Sequence, residues 1–124
     1  MSVNRIVLAI FAPILVLVGA AGFLVPPGRS LTSGAAPYNV FHLIFGAVGL
    51  LVLFFRSERS ASTFNFGFGL IDLYQVLASF VNLPPKQYFL WTRVDDILHV
   101  VIGLVLLTLG TYGLLNYKTA DSPR

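Results

Sequence analysis

The sequence predicts an all-α fold, an integral membrane four-helix bundle made of two repeated transmembrane hairpins. Three observations predict it. Of the 124 residues, 56% are hydrophobic and only 10% are charged, whereas a soluble domain carries roughly 25% charged residues to coat its wet surface. The apolar residues fall into four blocks, each close to the roughly 20 residues that carry a helix across the hydrocarbon core. The pattern (Asn/Asp)-x-x-His-x-x-x-Gly occurs in the second block and again in the fourth. With no water to satisfy backbone groups, blocks of this length are helices, and four of them cannot close a barrel.

The first block, residues 6–25, carries no charge and contains Pro13. Arg5 before it and Gly19-Ala20-Ala21-Gly22 after its apolar core also suit a signal peptide. Signal cores run about 7–15 residues, so the longer block reads as a span. The second block, 38–55, is approached through an uncharged stretch from Leu31. The third, 64–83, contains one charge, Asp72, and the fourth, 96–117, opens on Asp96 and is otherwise uncharged. The chain therefore reads as a single membrane domain over 1–124, with repeat halves 1–60 and 61–124.

The repeat rests on two alignments. Asn39-Val40-Phe41-His42 with Gly46 matches Asp96-Ile97-Leu98-His99 with Gly103, and Pro26-Pro27 matches Pro84-Pro85. The two matches differ by one residue in offset, so the halves align almost without gaps. Two spans per repeat preserve direction, which implies a pseudo-twofold axis along the membrane normal.

Charge and composition exclude several classes. The absence of cysteine rules out a disulfide scaffold, a thiolate metal site and a cysteine nucleophile. The net charge of +3 is scattered singly among apolar blocks, so no nucleic-acid partner is expected. Membrane lipid is the expected partner, with other membrane protein subunits as further candidates. Arg5, Arg56, Arg59, Lys118 and Arg124 fall on one side of the spans, and Arg29, Lys86 and Arg93 on the other. Positive residues favour the cytoplasm, so both termini are expected there. Tyr38, Tyr88 and Trp91 would then belt the outer interface, with Tyr112 and Tyr117 near the inner one.

Two sets of residues could carry chemistry. His42 and His99 follow Asn39 and Asp96 by three positions, which suits helix caps at Asn39 and Asp96 with each imidazole in a first turn. Such a pair could ligate haem b or a chlorophyll, with Gly46 and Gly103 leaving room for the macrocycle. Alternatively, each imidazole fastens a helix start to its surroundings. A metal site is not expected, because zinc needs further ligands. Asp72 shares one helical stripe with Gln75 and Ser79, and an ionisable group within a span is a candidate site by default. The stripe could relay a proton or a small solute, or Asp72 could pair with Arg5, Arg56 or Arg59 reaching inward. A direct link from Asp72 to the histidines is not expected: counted from Phe64, Asp72 lies about half a membrane away from them. Arg93, Asp95 and Asp96 read as solvated loop charges, and no catalytic motif is found.

Tyr38–Gly46 and Asp96–Gly103 together resemble a bacterial family of small four-span proteins, domain of unknown function 4383. The resemblance spans most of the chain and implies a bacterial four-helix membrane protein, without implying an activity. The leading expectation is a non-enzymatic structural or interaction role in the bacterial inner membrane or another energy-transducing membrane, as an accessory subunit of a larger complex. The alternatives are a haem- or chlorophyll-binding module using His42 and His99, and a small transporter using Asp72.

Overall fold

A computed structural model describes residues 2–26 and 29–121, with side chains through Asn116. Pro27 and Arg124, used above for the repeat and the orientation, lie outside the described residues, as do the side chains of Tyr117 and Lys118. Among the described residues there are five helices: α1 (Val3–Leu24), α2 (Ala36–Leu53), α3 (Glu58–Val81), the single turn α4 (Lys86–Phe89) and α5 (Arg93–Asp121). Four of them, with α5 counted over Arg93–Asn116, are long and apolar enough to cross a membrane. No strand occurs among the described residues. The chain is an all-helical bundle of multi-pass membrane type.

Helix starts depart from the apolar blocks because capping, not hydropathy, sets them. α3 begins at Glu58, six residues before Phe64, because the Ser57 hydroxyl accepts a hydrogen bond from the Ser60 amide at 3.2 Å. Glu58 then places an acidic group beside the positive helix end. α5 begins at Arg93 through a reciprocal cap. The Asp95 amide donates to Thr92 Oγ1 at 3.2 Å, and the Thr92 amide donates to Asp95 Oδ2 at 2.8 Å. Asp96 is therefore inside the helix rather than its cap. Asn39 is likewise inside α2, whose N-cap is Ala35; its side chain instead donates to the Gly34 carbonyl at 2.8 Å. The expected caps at Asn39 and Asp96 are both displaced, since Pro37 starts α2 early and Thr92 starts α5 early.

The helices pair as two antiparallel hairpins. In the first, Gly19 lies against Asn39 and Leu43 while Gly46 lies against Ala12 and Val16. In the second, Gly69 lies against Gly103 and Leu107 while Gly110 lies against Phe66. Small residues let backbones approach in lipid, where apolar tails compete equally for side chains. Phe68 joins the hairpins, with ring centroids 5.4 Å from Phe11, 5.9 Å from Phe41 and 5.2 Å from Phe45.

At the end nearest the termini, buried Asn4 makes a polar clamp that the sequence reading passed over. Its side chain donates to Glu58 Oε2 at 3.0 Å and to the Leu109 carbonyl at 2.9 Å, and it accepts from Asn65 Nδ2 at 2.9 Å. One α1 residue is thereby tied to α3 and α5. Outside the bundle, side chains such as Leu17 (65% exposed) and Phe80 (72%) present an apolar surface suited to lipid.

Candidate functional site

Between the hairpins, towards the end opposite the termini, lies a cavity of about 150 Å³. Phe11, Leu15 and Phe68 form part of its apolar wall, and Tyr38, His42, Asp72, Asp95 and His99 bring polar groups to it. Thr32 of the first long loop lies at its edge. Both histidines thus turn inward to one space, although each is 5% exposed and they lie on different hairpins.

Asp72 faces the same cavity, contrary to the expected separation of half a membrane. The reason is the early start of α3. Asp72 lies fourteen residues beyond Glu58 but only nine before Val81, or about 14 Å from that far end. His42 lies six residues into α2 from the same end, about 9 Å deep. The groups are therefore within about one helical turn in depth. The arginines do not reach Asp72: its hydrogen-bond partner is Gln75, whose Nε2 donates to Oδ1 at 3.2 Å. Gln75 Oε1 in turn accepts from Trp91 Nε1 at 3.1 Å. Ser79 does not extend this chain, because its hydroxyl donates to Asp96 Oδ2 at 3.1 Å. The polar stripe on α3 therefore splits, with Asp72 and Gln75 serving the cavity and Ser79 fastening α5.

The two imidazoles differ in their bonding. His42 Nδ1 lies 2.8 Å from the Tyr38 carbonyl. A carbonyl only accepts, so Nδ1 carries the proton and a neutral ring presents its lone pair at Nε2. His99 Nδ1 is buried with no hydrogen-bond partner, and its ring stands edge-on to Trp91 at 6.4 Å. A buried unpaired polar atom is costly and in a native core calls for a reason.

Asp95, expected as a solvated loop charge, is 1% exposed and acts as a hub. Oδ1 accepts from the Tyr38 hydroxyl at 2.6 Å. Oδ2 accepts from the amides of Ser33 and Thr92, both at 2.8 Å. One carboxylate thus holds the first long loop, the start of α5 and α2 together. Tyr38, expected in an interfacial belt, is instead 2% exposed in the core, whereas Tyr88 and Tyr112 are 61% and 64% exposed. The signal for Asp95 was available as Thr92-x-x-Asp95, a capping-box spacing. Nothing local marks Tyr38.

The residues do not fit a haem or a chlorophyll. Drug-sized ligands already need upwards of about 300 Å³, twice the volume present here. Gly46 and Gly103, expected to make room for a macrocycle, are closed by neighbouring helices. A Cβ would lie 2.6 Å from Val16 Cγ2 at Gly46 and 3.1 Å from the Asp72 Cβ at Gly103. Among the described residues no group of three or more His, Asp or Glu is placed to hold a metal ion. What the arrangement offers is a small, largely apolar chamber with a carboxyl and two imidazoles in its wall. Set against known protein families, curated proteins and solved structures, the chain matches none.

Proposed function

We propose that this chain is a bacterial multi-pass membrane protein, non-enzymatic, whose bundle holds one small ligand between its hairpins. One observation carries the reading: Asp72, His42 and His99, far apart in sequence, line a single cavity, and His99 Nδ1 is buried there without a partner. A purely structural histidine would be expected to spend its nitrogens on the protein. A chamber near 150 Å³ suits a ligand about the size of benzene. The transport reading that rests on Asp72 belongs to the same site. The test is mass spectrometry of an organic extract from the purified protein, alongside an Ile102→Phe variant that fills the cavity. A small molecule present in the first and missing from the second supports the reading; matching extracts refute it.

The two-hairpin repeat is part of this proposal. Gly46 packs on Val16 and Gly103 packs on Leu73, and Gly22 meets Asn39 where Ser79 meets Asp96. Each member of the first half has its counterpart 57 residues on, the same separation that joins Tyr38 to Asp95. Membership in the domain-4383 family and a location in the inner membrane, with both termini cytoplasmic, are proposed on the resemblance and on the arginine distribution. A second reading, an accessory subunit of a larger complex, is favoured by the apolar outer faces of all four spans. It predicts that mild detergent extracts the chain in an assembly larger than its monomer.

A further inference from the structure

Resting on the ligand site just proposed, the composition of its wall says which ligand class it suits. None of the lining residues is Lys or Arg. Asp95 already accepts from Tyr38, Ser33 and Thr92, so its lone pairs are engaged. Asp72 is not so engaged: among the described residues its hydrogen-bond partner is Gln75, which donates to one of its oxygens. A carboxylate in an apolar wall without a counter-ion is the group a bound cation would neutralise. His42 and His99 line the same cavity, and with the His42 proton on Nδ1 its lone pair is left on Nε2. A primary ammonium is a compact cation with three N–H donors and no acceptor, which suits a carboxylate with no cation in its lining. The rings of Phe11, Phe68 and Tyr38 complete the wall with surfaces that attract a cation. Ile14 and Leu98 are cavity lining and outer surface at once, 45% and 42% exposed, so one layer of side chains separates the chamber from lipid.

We propose that the cavity binds a small primary amine bearing a single ring or short alkyl body, held as its ammonium with Asp72 as counter-ion. The proton balance is simple. An amine arriving neutral through lipid takes the proton from the Asp72 carboxyl, and an amine arriving charged meets the Asp72 carboxylate. Either way one ammonium and one carboxylate result.

The experiment compares benzylamine with benzyl alcohol, which has nearly the same shape and no charge, on the purified protein in lipid nanodiscs. Calorimetry measures binding, and the single tryptophan, Trp91, reports it optically through its bond to Gln75. Benzylamine is expected to bind at least about tenfold more tightly than benzyl alcohol. Asp72→Asn should erase that preference, and Asp72→Glu should keep it. Equal binding of amine and alcohol to the wild-type protein would overturn the amine proposal while leaving a cavity that binds ligands. An amine preference that survives Asp72→Asn would also overturn it. Binding of neither probe, with no response to Ile102→Phe, would overturn the ligand-site reading beneath it. The wild-type comparison and Asp72→Glu decide the matter should Asp72→Asn fail to fold.

Discussion

Two glycines two residues apart on α3 make a sharp test of how the second hairpin is held. An alanine Cβ at Gly69 would lie 2.6 Å from the Leu107 amide nitrogen and 2.9 Å from the Gly103 carbonyl oxygen. Both neighbours are α5 backbone, which has no rotamer to swing aside. Ordinary contact starts at 3.4 Å, so the helices must part locally by about 0.8 Å, a gap that forfeits a quarter to a half of each affected contact. Overpacking of this kind costs about 1–3 kcal/mol. Alanine recovers about 1 kcal/mol of helix propensity over glycine, leaving a net loss of up to about 2 kcal/mol. At Gly67 an added Cβ meets nothing within 4 Å, so Gly67→Ala is expected to be neutral or stabilising by up to about 1 kcal/mol. The two variants should therefore differ by about 2 kcal/mol. Reversible unfolding in mixed detergent micelles, followed by circular dichroism and Trp91 fluorescence, measures that difference. Equal stability of Gly67→Ala and Gly69→Ala would refute close backbone packing of α3 on α5.

Other expectations follow from the hub, the cavity and the arginines. Tyr38→Phe deletes one hydroxyl from the 2.6 Å bond to Asp95 and should cost about 2 kcal/mol. A double-mutant cycle with Asp95→Asn should show coupling above about 0.5 kcal/mol, and additive effects would show that the pair is not a unit. Incubation with haem should produce no Soret band that depends on His42 or His99, since 150 Å³ cannot house the macrocycle; a band lost in His42→Ala would refute that. Gln87→Cys, in this cysteine-free chain, should react with an impermeant maleimide from outside the cell. Reaction only from the cytoplasmic side would invert the proposed orientation.

Sequence and tertiary structure contributed different things, for definite physical reasons. Four spans and their alternation were legible because a helix in lipid must be apolar over its length and satisfy its own backbone. The exceptional side chains, Asp72, His42 and His99, were legible for the same reason: polarity stands out against an apolar run. The depth of Asp72 was not, because helix ends were set by Ser57 and Thr92, outside or at the edge of the hydropathy signal. Nor could the sequence show that Tyr38 and Asp95 meet, or that Asn4 binds Asn65, since those partners stand 57 and 61 residues apart. Hydropathy says which segments enter the membrane, and its period hardly distinguishes a helix face towards lipid from a face towards protein when both are apolar. Only the packing of the hairpins, directed by glycine contacts and Phe68, turned one acid and two histidines towards the same small space.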